Sequence, residues 1–176
     1  MVRVFKILAY ILFFILAVVY FMPKSNLYYF AEQELQKQKV VISDETTQEE
    51  MFSLELQNAV LSYASVDVAT ISKADIGLFV LYNTITLHDV NLSSMASAFV
   101  PLHVNTLEVK YTILNPLTIY MHSKGAFGEA DAMLHIKDRN ITILLKPSSL
   151  MQKQYVNSMR KLKKNNNGEY EYAKNF

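Results

Sequence analysis

Hydrophobic and polar positions follow three different periods along this chain. From Ile7 to Met22 the run ILAYILFFILAVVYFM carries neither charge nor polar face. About 20 apolar residues cross a bilayer, and Val4, Phe5 and the aliphatic stem of Lys6 extend the run to that length. Pro23 then ends or redirects the helix, because its ring has no N–H to give and clashes with the preceding turn. A second, amphipathic helix follows, in which Leu27, Phe30, Ala31 and Leu35 fall at i, i+3, i+4 and i+8 and Ser25 or Asn26 is placed to cap. Tyr28 and Tyr29 flank that stripe. Two settings suit it: the bilayer interface, where amphipathic aromatics concentrate, or packing as a cap on the sheet that follows.

Beyond Lys39 the period is two. VVIS at 40–43 reads as a short strand, DETTQEE at 44–50 as an acidic loop, and Phe52, Leu54 and Leu56 alternate with polar residues as in a half-buried strand. One or two further strands lie between Val60 and Ile71. DIGLFVLYN at 75–83 is nearly continuous in hydrophobicity and reads as a strand buried on both faces or lining an apolar surface. In ITLHDVNL the apolar residues Ile85, Leu87, Val90 and Leu92 are spaced two, three, two, which predicts a bulge near His88 and Asp89. Residues 93–104 have no period and read as a connection.

The clearest alternation comes next: Leu107, Val109, Tyr111 and Ile113; then, after a turn at Asn115-Pro116, Leu117, Ile119 and Met121; then, past Gly125 and Gly128, Ala130, Ala132, Leu134 and Ile136. KDRN at 137–140 reverses the chain into Ile141, Ile143 and Leu145. Four strands with short links argue an antiparallel meander. SSLMQKQYVNSMRKLKK at 148–164 has the spacing of a helix capped by Ser148, its outer face basic through Lys153, Arg160, Lys161, Lys163 and Lys164. Such a face suits anionic headgroups or a plain solvated helix end. NNNGEYEY then reads as a turn into a strand.

The fold class that emerges is mainly β with flanking helices (α+β): an N-terminal transmembrane helix followed by a curved antiparallel β-sheet. Residues 1–23 form the anchor, 24–39 the amphipathic helix and 40–176 the β-rich domain. Val18 to Met22 offer no small-residue cleavage pattern, so the anchor is expected to stay attached. Arg3 and Lys6 before the span, against Lys24 alone close behind it, orient the N-terminus toward the cytoplasm. An aliphatic sheet face needs a cover. If the helices leave part of it open, Leu107, Val109, Tyr111, Leu117, Ile119, Leu134 and Ile136 line an apolar groove able to hold an acyl chain or a partner's strand.

Composition narrows the chemistry. A net charge of +1 gives no global field for nucleic acid, and the absence of cysteine removes disulfides, thiolate metal sites and cysteine nucleophiles. His88, His103, His122 and His135 have none of the close spacings of a zinc motif, and His88 and Asp89, adjacent on a strand, point to opposite faces. No nucleophile elbow, phosphate-cradling glycine loop or H-E-x-x-H occurs. Asn91-Leu92-Ser93 and Asn140-Ile141-Thr142 match the glycosylation pattern, which matters only in a eukaryotic secretory pathway. No catalytic, cofactor-binding or metal-ligating residue is expected.

The order of these pieces, with PKSNLYYFAEQELQKQKVVIS after the span, ITLHDVNL in the early strands, and LLKPSSL followed by GEYEY near the end, resembles the type II secretion protein N family, related to the AsmA-like envelope proteins. The resemblance implies a non-enzymatic, single-pass protein of the bacterial inner membrane with a periplasmic β-rich domain. It would be an accessory to secretion machinery, contacting other subunits through a strand edge or the acidic loop, or a lipid-handling module using the aliphatic sheet face and phospholipid.

Overall fold

The apolar N-terminal run folds as one helix, α1 (Val2–Phe21), and the chain bends at Pro23 into α2 (Lys24–Lys37). The computed structural model describes residues 2–79, 81–165 and 167–176. Twenty helical residues rise about 30 Å, the thickness of a hydrocarbon core, so α1 is long and apolar enough to cross a membrane. Almost none of it is buried by the rest of the chain.

The remainder is one antiparallel sheet of β1 (Val40–Ser43), β2 (Thr46–Glu49), β3 (Ser53–Tyr63), β4 (Val66–Leu78), β5 (Tyr82–Leu92), β6 (His103–Thr112), β7 (Thr118–Gly125), β8 (Gly128–His135), β9 (Asn140–Pro147), β10 (Lys163–Lys164) and β11 (Tyr170–Asn175). From β3 to β9 each strand pairs with the next; β11 then adds to β9, and β10 to β11. The short strands β1 and β2 share one edge of β3, pairing with its two halves in turn. Between β9 and β10 lie α3 (Ser149–Gln154) and α4 (Val156–Met159). The mainly β fold with flanking helices read from the periodicity is the fold observed.

Four local readings are corrected. DETTQEE is not a loop but largely β2. DIGLFVLYN is a hairpin rather than one strand: β4 ends at Leu78, the Phe79 N–H donates to the Tyr82 carbonyl (3.2 Å) and to Asn83 Oδ1 (3.1 Å), and β5 begins. Val80, at its centre, lies outside the described residues. The helix expected over 148–164 is two short pieces broken at Tyr155 (φ −115°), followed by strand β10. Met151 and Met159, both buried, hold pieces too short to be stable alone. Ser148 does cap α3, its hydroxyl accepting from the Met151 N–H (3.1 Å) while donating to the Ala126 carbonyl (2.6 Å). The cap expected for α2 at Ser25 or Asn26 is absent, since Pro23 occupies the N-cap position. In the NNNG segment, Asn166 lies outside the described residues.

The slip at His88–Asp89 belongs to a larger feature. Inward-facing residues shift by one in four successive strands: Leu54 and Leu56 then Ala59 in β3, Ala69 and Ile71 then Ala74 in β4, Leu87 then Val90 in β5, Val104 then Leu107 in β6. The extra residues are Asn58, Ser72, Asp89 and Asn105, and they lie in one row across the sheet where pairing lapses. Because all four strands carry one, their mutual register is preserved across the row. β7 carries none, so the irregularity surfaces as a shift between β6 and β7 at Asn105. Asn58 (φ 59°) and Asp89 (φ 51°) take the left-handed conformation that Asn and Asp tolerate best among non-glycines. The Ser72 hydroxyl bridges to the Asp89 carbonyl at 3.2 Å.

This crease sets a stability expectation. Asn58→Val forces a β-branched residue into left-handed backbone at a cost of about 1–2 kcal/mol, whereas Asn58→Gly stays close to the parent. Urea titration of the detergent-solubilised full chain checks both.

Candidate functional site

To one side of the crease, apolar side chains line up on one face across eight strands. One row of cross-strand neighbours runs Leu54, Ile76, Ile85, Val109, Met121, Ala132, Ile143 and Tyr172, every member apolar or aromatic. The row beside it runs Leu56, Ala74, Leu87, Leu107, Ser123, Ala130, Leu145 and Tyr170, interrupted only by Ser123. Seven strand spacings make this track about 30 Å long. The opposite face is charged: Lys73 bridges Glu55 (2.9 Å) and Asp75 (3.2 Å), Lys110 meets Glu108 (2.8 Å) and Lys124 meets Glu129 (3.0 Å). Those ion pairs lower the carboxyls of Glu55 and Glu129 and raise the ammonium groups of Lys73 and Lys110, chiefly through the hydrogen bonds themselves.

The apolar face is covered unevenly. Near β3 to β5 it is the best-buried part of the chain, with Leu54, Leu56 and Ala74 nearly inaccessible. Toward β8, β9 and β11 the cover is α3, α4 and the 93–100 connection, which includes a 3-10 turn (Ser94–Ala96). They stand off the sheet and leave a cavity of about 600 Å³, lined by Phe99, Val100, Phe127, Ala130, Ile143, Leu145, Met151, Ser158, Lys161, Leu162, Tyr170 and Tyr172. That volume suits a drug-sized or acyl-chain ligand. Lys161, the one charged wall residue among the described residues, lies over the Phe99 ring at 6.0 Å, and a smaller hollow lined by Arg160 and Lys164 adjoins through Leu162 and Tyr170. The floor depends on one glycine. A Cβ on Gly128 (φ 115°) would come within 2.1 Å of the Lys146 carbonyl, so only glycine lets the two-residue turn place Phe127 in the cavity wall.

Of the seven residues proposed for a groove, Leu107, Val109, Tyr111, Ile119 and Leu134 share the apolar face. Leu117 and Ile136 flank the β7–β8 ladder just beyond its end, joined by the Ile136 N–H to the Leu117 carbonyl (2.9 Å). None of the seven lines the cavity, which sits nearer β9 and β11. The sequence offered one signal for it, the alternation of Ala130, Ile143 and Leu145. The lid residues Phe99, Met151 and Leu162 lie in stretches without a sheet period.

The residues expected to flank a membrane span divide. Arg3 and Lys6 are exposed on α1, and Tyr29 is exposed on α2. Lys24 is buried, its ammonium turned toward the Met22 carbonyl (3.5 Å), rather than standing free beyond the span. Tyr28 is also buried, its hydroxyl donating to Glu45 Oε1 (3.0 Å), and burial first, then that carboxylate, push the phenol far above its usual range. So Lys24, Tyr28 and Glu32 are the side of α2 turned toward the protein, while Leu27, Phe30 and Leu35 are exposed. The apolar stripe of α2 does not cap the sheet. The acidic segment holds the helix instead: Glu49 of β2 accepts from the Ser25 N–H (2.7 Å) at the start of α2, where a carboxylate also meets the positive end of the helix dipole.

The histidines are dispersed. His122 pairs with Asp131 (2.6 Å) and His88 with Asp75 (3.4 Å) on the polar face, His103 contacts Asn91 (3.0 Å), and His135 contacts Thr118 (3.4 Å). Among the described residues no three His, Cys, Asp or Glu side chains gather as a metal site. Comparison with protein-family models, with curated proteins and with solved structures finds no match.

Hydrogen bonding from Ser25, with the Lys24 charge adding, holds the Glu49 carboxyl below its usual range. A depressed folded-state value means that this contact stabilises above the unfolded carboxyl pKa and is lost as pH falls through the folded one. Amide protection across the first turns of α2, corrected for intrinsic exchange, should therefore decline on acidification. In Glu49→Ala it should be lower throughout and flatter with pH.

Proposed function

We propose that this protein is a non-enzymatic, membrane-anchored lipid-handling module. Its apolar sheet face holds acyl chains, and the cavity under α3 and α4 has room for one. The observation that carries this reading is the uninterrupted apolar row from Leu54 to Tyr172, ending at a cavity of about 600 Å³ with mostly apolar walls. Burying one methylene contributes about 0.8 kcal/mol, so a chain laid along such a surface is held without specific polar contacts. The basic residues in and beside the cavity, Lys161 in its wall and Arg160 and Lys164 lining the adjoining hollow, suit the phosphate of a phospholipid.

The resemblance to type II secretion protein N and AsmA-like envelope proteins suggests the setting: the bacterial inner membrane, with the N-terminus cytoplasmic and the sheet in the periplasm. Arg3 and Lys6 before α1 support that orientation. Of the two roles this resemblance carries, lipid handling has the sheet face behind it. A secretion accessory docking through the acidic segment has fewer carboxylates to offer, since Glu45 is engaged by Tyr28 and Glu49 by α2.

Native mass spectrometry of the full chain, extracted gently from its membrane, tests the proposal. The expected result is a phospholipid or single-chain lipid adduct of fixed stoichiometry, lost in Ile143→Asp while the protein stays folded. A folded protein that sheds all lipid as readily as detergent would refute it.

A further inference from the structure

Large apolar residues stand exposed among the turns at one end of the sheet. That end gathers the chain before β3, the β4–β5 turn, the β6–β7 turn and the β8–β9 turn. Met51 (57 % exposed), Phe79 (44 %), Leu81 (55 %), Leu114 (84 %), Leu117 (48 %) and Ile136 (44 %) all project there with no cover. Exposed large apolar residues gathered in one patch mark a contact surface. Turns normally carry Gly, Asn, Asp or Ser, and this hairpin tip at 79–81 carries none.

The position of α1 identifies what covers the patch. Phe52, in the first of these turns, stacks on Phe79 with ring centres 5.9 Å apart. On its other side it shares a hollow with Phe13, Leu16, Ala17, Tyr20 and Phe21. The apolar end of the sheet is therefore level with the last turns of the helix that is long enough to cross a membrane, not above them. Cations suited to headgroups, Lys137 and Arg139, follow Ile136 directly, with Asp138 between them and Glu50 as the carboxylate beside Met51.

We infer that this end of the sheet is seated in the outer part of the bilayer, its apolar turns inserted among lipid chains beside α1. The sheet then stands on the membrane, and its apolar face opens at the foot directly onto the leaflet, so the acyl chains it takes come from that leaflet. The inference rests on the anchoring half of the proposed function and gives its ligand a source.

The chain lacks cysteine, so single cysteines report cleanly. An environment-sensitive fluorophore is placed at Leu81→Cys, Leu114→Cys, Phe13→Cys within α1, and Ser65→Cys at the opposite end of the sheet. Each full-length variant is reconstituted in phosphatidylcholine–phosphatidylglycerol vesicles with or without doxyl-labelled lipid. Expected are blue-shifted emission and strong quenching at 81, 114 and 13, and aqueous emission without quenching at 65. Leu117→Cys, at the far side of the 113–117 turn, repeats the test should the label at 114 disturb folding. Aqueous emission at 81, 114 and 117 with quenching retained at 13 would overturn the seating while leaving the anchor intact. Aqueous emission at 13 as well would overturn the anchoring reading and this inference with it.

Discussion

Everything distinctive in this molecule depends on keeping one sheet face apolar across many strands. In an antiparallel sheet a one-residue slip sends every following side chain to the other face. Four long strands here each contain such a slip, and the structure absorbs them by aligning Asn58, Ser72, Asp89 and Asn105 in a single row. Residues on both sides of the row keep their apolar side chains on the same face, and the sheet gains a local bend without losing register. A slip in one strand alone would turn that strand's residues beyond it to the opposite face from their neighbours.

Around that face the chain distributes its covers by chemistry. The edge nearest α1 is closed by α2, held through Tyr28–Glu45 and Ser25–Glu49 and through the Tyr28 ring packed in the core. Hence Leu27, Phe30 and Leu35 stay free on its outer side. The far part is closed by α3 and α4, anchored through Met151 and Met159 but standing off the sheet above Ile143 and Tyr172. A cover of two short helical pieces, broken at Tyr155, has few hydrogen bonds of its own to resist opening. This cover of short pieces lies over the cavity of about 600 Å³.

Much of this was legible in the sequence because period-two alternation is hard to mistake over strands of eight or more residues. The meander from Leu107 to Leu145, the Ser148 cap and the long apolar N-terminal helix were all readable. The spacing of Ile85, Leu87, Val90 and Leu92 pointed at Asp89, though a single strand could not reveal that three neighbours carry the same slip. The 75–83 hairpin was hidden because its turn has no Gly, Pro or Asn at the tip, and the 63–66 hairpin because Ala64 and Ser65 both adopt positive φ without an Asn-Gly signal. Tyr28 read as an interfacial aromatic because its partner, Glu45, lies 17 residues away in a segment whose acidity suggested a solvated loop. The cavity was beyond reach for a related reason: its lid comes from residues 99–100 and 151–162, brought over the sheet only by the order of the strands.

The central claim is that the apolar face holds lipid chains, and the most direct test reads contact from inside the cavity. A photoreactive amino acid in place of Phe127, in the full chain within native membranes, is irradiated and its adducts identified by mass. Covalent lipid adducts, suppressed when Leu145→Asp is introduced into a still-folded chain, are what this account predicts. Adducts confined to protein, or none despite efficient activation, would contradict it.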